Sequence, residues 1–155
     1  MHDSMTSEIG MPPRATSESQ LVTLYAAFIL SVIATAGSLF FSEVMQLPPC
    51  VLCWYQRIAM YPMAVILGVA IVRRDPAGRM YCLPLAVIGT AIAIYHNLLY
   101  YRLIPESITP CTSGVSCTTR QIEWLGFITI PLLSLVAFLG IFTLLVARRL
   151  QGARP

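Results

Sequence analysis

Residues 58–72, IAMYPMAVILGVAIV, contain no charged side chain. Extended back to Val51, the run reaches about 20 residues, the length at which an α-helix crosses the hydrocarbon core of a bilayer. Three further runs share its character: 21–43, which opens LVTLYAAFILSVIATAG, then 81–101 and 124–147. Lipid offers nothing to a bare backbone N–H or C=O, so every run is predicted to be helical. Pro62, Pro84 and Pro131 fall within or near the starts of these runs, where bundle helices accept proline as a kink or a first-turn residue. The expected fold is an all-α membrane protein, a four-transmembrane-helix bundle over 21–149. A polar tail is expected at 1–20 and a short C-terminal tail at 150–155.

Composition agrees with that expectation. The 155 residues are 57% hydrophobic and 11% charged, against about 25% charged in an ordinary soluble domain. A soluble core of this size has no room for so much apolar surface. A soluble enzyme, a disordered chain and a nucleic-acid module are therefore excluded. The net charge of +3 comes from ten Arg and no Lys. No basic run is long enough to grip a polyanion, which leaves membrane lipid and no nucleic acid among the expected partners.

Arginine placement gives an orientation. Arg14, Arg73, Arg74, Arg79, Arg148, Arg149 and Arg154 flank one side of the runs; Arg57, Arg102 and Arg120 flank the other. Both termini and the middle loop are thus expected in the cytoplasm, with outer loops near 44–49 and 102–123. Ala34-Thr35-Ala36 matches a small-residue cleavage site, but Asp3, Glu8 and Glu18 precede it and the apolar run continues through Phe41. An uncleaved first span is expected.

Four of the five cysteines form two pairs, both on the predicted outer side, where disulfides persist. The first stands in PPCVLCWYQR, residues 48–57. Two prolines suit the entry to a helix, which puts Cys50 and Cys53 at its N-terminus. Free N–H groups and the helix dipole favour a thiolate there. Arg57 is one turn beyond Cys53, hence on its face. It either stabilises the Cys53 thiolate or snorkels to headgroups. The second pair is Cys111 and Cys117, separated by the small or flexible residues TSGVS. Closing so short a loop gains little chain entropy, which suits an exchanging disulfide as well as a structural one. Cys82, at the cytoplasmic start of the third run, reads as a small buried apolar residue.

Several chemistries are open to four such cysteines. Haem attachment needs a histidine after the C-x-x-C, and Trp54 stands there instead. A four-cysteine zinc site disagrees with the wide second spacing and the oxidising side; no metal is expected. Two structural staples and a dithiol relay remain. A relay needs a terminal acceptor, and a lipid-soluble quinone reaching the lip of the bilayer is a candidate. Tyr95-His96-Asn97 lies in the third run, with His96 roughly 7 Å inside Tyr101 at 1.5 Å per residue. That depth is comparable to Arg57, and an ionisable residue within a span is a functional candidate. Tyr100, Tyr101 and Trp124 read as an interfacial aromatic belt.

PCVLCWYQR, followed by IAMYP, YHNLLYYRLIP, the second cysteine pair and EWLGFITIPLLSLVAF, resembles the DsbB/BdbC family of quinone-linked disulfide bond formation proteins of bacterial membranes. The resemblance runs from about Leu21 to Arg149. The short spacing of the second pair is similar to the BdbC branch, and leaves less slack to present Cys117 to Cys50. By implication, the chain sits in the bacterial cytoplasmic membrane with both cysteine loops outside. It would reoxidise a DsbA/BdbD-like thioredoxin-fold thiol oxidase and pass electrons to ubiquinone or menaquinone. Cys111 looks like the residue attacked by the partner, and Cys117 its loop mate. Cys50 looks like the acceptor of the loop's electrons, Cys53 the cysteine facing the quinone, and Arg57 and His96 its neighbours. A vitamin K epoxide reductase type enzyme carries its C-x-x-C in the last span rather than the second. A non-catalytic scaffold with stapled loops is the reading from another class, and thiol titration separates it from a relay.

Overall fold

The computed structural model of the chain describes residues 18–75, 77–105, 116–118 and 129–151, the side chains of 18–20 and 148–151 excepted. Helix α1, Glu18–Leu39, passes into a π-helical turn, Phe40–Val44; α2 is Val51–Val72, α3 Gly78–Tyr100 and α4 Ile130–Gln151. There is no strand among the described residues. Segments Leu21–Val44, Val51–Val72, Gly78–Tyr100 and Ile130–Ala147 are each long and apolar enough to cross a bilayer. The protein is an all-helical, four-span bundle.

Local chemistry places the helix ends. Cys50 follows Pro48-Pro49 in extended conformation and is itself the N-cap of α2, its Sγ accepting the Cys53 N–H at 3.4 Å. The third helix begins at Gly78, ahead of the Tyr81 start that hydropathy suggests, in a turn where Asp75 Oδ1 accepts the Ala77 N–H at 2.9 Å. At the head of α4, Thr129 Oγ1 accepts the Leu132 N–H at 3.4 Å, with Pro131 in the first turn, where a missing N–H does no harm. Both α2 and α3 stop on an arginine in the left-handed region, Arg74 at φ 52° and Arg102 at φ 57°. Each exit is closed by a long backbone bond, Asp75 N–H to Ala70 C=O and Leu103 N–H to Leu98 C=O, both 2.9 Å.

The helices pack in the ring order α1, α2, α3, α4, with α4 closing on α1. The inward stripe of α2 is Leu52, Gln56, Ala59, Met60, Met63, Leu67 and Ala70, a helical period that includes one polar side chain. It meets Cys82, Ala86 and Ala93 of α3 and Phe138 and Ile141 of α4. Gly89 lets α4 come close to α3: a Cβ there would run into the Phe138 ring. Lipid tails are as apolar as leucine, so this contact and interhelical polar bonds hold the bundle rather than burial alone. Asn97 Nδ2 supplies one such bond, donating across to Pro131 C=O at 2.8 Å. The outward faces carry Val22, Ile29, Ile33, Ile58, Val65 and Val69, all exposed, as a lipid-facing surface requires.

Candidate redox site

The N-terminus of α2 gathers the chemistry. Cys50 Sγ and Cys53 Sγ lie 2.8 Å apart as free thiols. Cys50 Sγ also lies 3.8 Å from His96 Nε2, which α3 brings in from 46 residues away. The other ring nitrogen, Nδ1, is 3.3 Å from Gln56 Nε2. His96 and Gln56 are both buried, at 2% and 7% exposure. The hydrogen bond from the Cys53 thiol holds the Cys50 thiol well below the ordinary thiol range; burial opposes it, and His96 adds to the lowering.

Cys117 is disulfide-bonded and 3% exposed. It shares one buried cluster with Cys50, Leu52 and Leu99, so Cys117 itself is packed at the first pair. Cys111 lies outside the described residues. Cys82 is fully buried on α3 with its Sγ 3.8 Å from Met63 C=O, away from the pair.

A cavity of about 380 Å³ opens between α1, α2 and α4 beside the pair. Its walls are mostly aliphatic and aromatic, and its polar contributors include Ser38, Cys53, Gln56 and Arg57. The Arg57 guanidinium lies 5.5 Å from the Trp54 ring centroid and its Nη2 donates to Ser38 C=O at 3.1 Å, while Nε is buried without a partner. Of the residues the sequence assigns to a quinone, Cys53 and Arg57 line this cavity and His96 does not; its ring is turned to Cys50. Two neighbours went unread in the sequence. Gln56 falls on the apolar stripe of α2, a phase that marks it as inward. Ser38 acts through its backbone, which leaves no trace in residue type.

The two sulfurs and a ring nitrogen of His96 lie within 4.8 Å of one another. Among the described residues these three donors fall short of the four of a closed structural zinc site. A helix-capping dithiol beside an imidazole, set at one end of an apolar bundle, instead defines a membrane protein built for thiol–disulfide chemistry.

Comparison with known proteins sharpens that class. The family profile for disulfide bond formation protein DsbB matches residues 20–148. Disulfide bond formation protein C of Bacillus subtilis (strain 168) is 48% identical over 124 residues, 79% of this chain and 88% of the relative. Probable disulfide formation protein C 1 of Bacillus anthracis is 44% identical over 124 residues, covering 80% and 89%. A probable disulfide formation protein of Metapseudomonas resinovorans is 45% identical over 127 residues, covering 81% and 88%. No solved structure matches significantly. The chain belongs to the DsbB family of disulfide bond formation proteins, and is a multi-pass membrane thiol oxidoreductase.

Proposed function

We propose that the protein reoxidises an extracytoplasmic thioredoxin-fold dithiol oxidase and passes the electrons through its two cysteine pairs to a membrane quinone. The observation that carries this reading is the position of Cys53, 2.8 Å from Cys50 on one side and in the wall of the cavity on the other. A partner thiolate attacks Cys111 and breaks its bond to Cys117. The partner's second thiol then displaces Cys111, so that the partner leaves oxidised and the loop pair holds two electrons. A loop thiolate attacks Cys50 of the oxidised Cys50–Cys53 pair, and the loop disulfide re-forms as Cys50 and Cys53 become the reduced pair.

The cavity suits a quinone headgroup. Its volume lies in the range of small-ligand sites, its walls are apolar, and Arg57 brings a cation with a buried, unpartnered Nε. Cys53, Arg57 and Ser38 would hold the ring at this wall. The quinone supplies the two-electron sink, and the redox span is its own. His96 belongs to the dithiol side, and Gln56 reaches from the cavity wall to its ring. The arginine distribution, seven against three, supports an extracytoplasmic position for both cysteine loops.

The test is quinone consumption by the purified protein in detergent, driven by a reduced thioredoxin-fold thiol oxidase. Turnover is expected, with loss on replacing Cys50, Cys53, Cys111 or Cys117 by Ser. Full turnover without Cys53, or no quinone reduction by the wild type, would overturn the reading. In spheroplasts, a membrane-impermeant maleimide is expected to label the reduced pairs before permeabilisation.

A further inference from the structure

A neutral imidazole has one nitrogen that donates and one that accepts. Gln56 Nε2 bears only hydrogens, so at 3.3 Å from His96 Nδ1 it is the donor. Nδ1 is then the acceptor, and the ring hydrogen stands on Nε2. That nitrogen is the one 3.8 Å from Cys50 Sγ. The same sulfur receives the Cys53 backbone N–H at 3.4 Å and has the Cys53 sulfur 2.8 Å away. Donors from α2 and α3 thus converge on a single sulfur.

We propose that Gln56 is a positioning residue: it locks His96 in the Nε2–H tautomer, so that the ring donates to Cys50 and makes Cys50 the thiolate of the reduced pair. The proposal rests on Cys50 and Cys53 being the redox pair. It gives His96 a task on the dithiol, distinct from contact with a quinone. It also gives Gln56 a reason to lie on the buried stripe of an otherwise apolar helix face, where an amide without a partner is destabilising.

Few titratable groups compete at this spot. From α2 come Cys53 and, turned away toward Ser38 C=O and Trp54, Arg57. From α3, Tyr95 packs on the cluster. From the outer loop comes Cys117, which does not titrate while disulfide-bonded. Neither α1 nor α4 adds a titratable side chain to this cluster among the described residues. With Cys50 ionised, closing the disulfide gives up two electrons and one proton, and that proton comes from Cys53 at the cavity wall.

The first readout is the ¹⁵N spectrum of histidine-labelled, reduced protein in detergent. The chain has two histidines, so His2→Ala leaves His96 alone. At neutral pH, Nε2 is expected to carry the hydrogen and Nδ1 to be the bare, pyridine-like nitrogen. Gln56→Glu, whose carboxylate only accepts, is expected to move a hydrogen onto Nδ1. The second readout is thiolate absorbance in a chain keeping Cys50 as its one thiol (Cys53→Ser, Cys82→Ala, Cys111→Ser, Cys117→Ser). Adding Gln56→Leu is expected to lower the thiolate-to-thiol ratio about tenfold at fixed pH, the effect of one pKa unit.

A hydrogen on Nδ1 in the wild type, an unchanged ring in Gln56→Glu, or a thiolate titration unmoved by Gln56→Leu would each overturn the proposal. Should Gln56→Leu fail to fold, the spectra of the wild type and Gln56→Glu decide. Neither readout uses quinone or partner. Failure here therefore leaves the electron-transfer reading standing, and failed turnover leaves the tautomer to be measured on its own.

Discussion

Cys50 and Cys82 are the same residue type in one small bundle, and both are buried. Cys50 caps a helix, takes a backbone N–H, and faces a second thiol and an imidazole. Cys82 sits among Met63, Leu67 and Ala86 in the apolar interior, with the Met63 carbonyl as its polar neighbour. The first environment offers hydrogen to a sulfur anion; the second offers a carbonyl oxygen, which cannot. Reactivity follows what surrounds a thiol, and this molecule keeps the two environments at different depths of one helix pair.

The largest expected effect tests that contrast directly. Cys53→Ser is expected to reduce quinone-linked oxidation of the partner to background, while Cys82→Ala keeps most of the wild-type rate at equal protein level. Loss of activity in Cys82→Ala would erase the distinction between the two regions. Gly89→Ala probes the interior instead. The added methyl meets the buried Phe138 ring, and overpacking of this kind is destabilising by about 1–3 kcal/mol. A lowered midpoint of thermal unfolding in detergent is expected, with Cys50 alkylation unchanged in the folded protein.

Arg57→Met is expected to raise the quinone KM about tenfold, roughly 1.4 kcal/mol, with the fold intact. Arg57→Lys should recover only part, since a point charge lacks the planar fork that reaches Ser38 C=O beside Trp54. An unchanged KM in Arg57→Met would reduce Arg57 to an anchor of α2 on α1.

The smallest effect is a matter of pH. Cys50 titrates below an ordinary thiol, so its thiolate persists as the medium moves from mildly alkaline to mildly acidic. Alkylation of reduced Cys50 should therefore slow little across that interval, whereas an ordinary thiol slows about tenfold per pH unit. An ordinary slope at Cys50 would count against the converging donors.

Much of this was legible in the chain itself. Lipid permits only helices for long apolar runs, so four spans follow from hydropathy. Pro48-Pro49 ahead of a C-x-x-C marks a helix entry, and Cys50 stands at the cap. Helix ends were less legible, because Gly78 and Arg79 carry no apolar signal and the turn before them depends on the Asp75 side chain. The company of Cys50 was not legible at all. His96 is 46 residues away, and no spacing rule states which sulfur a ring on another helix will meet. Arg57 shows the same limit: its place one turn beyond Cys53 is periodicity, but a long side chain ends where a carbonyl will have it, and that carbonyl belongs to α1.

Cys53 stands in the wall of the cavity, while Cys50 looks toward His96 and the cluster that holds Cys117. The two halves of one dithiol therefore answer to different traffic. Cys50 is itself buried, at 6% exposure, so of the two sulfurs it is Cys53 that a molecule lodged in the cavity would meet. A ligand of the cavity and a thiol that comes in by way of the Cys117 cluster are therefore expected to meet different atoms of one dithiol.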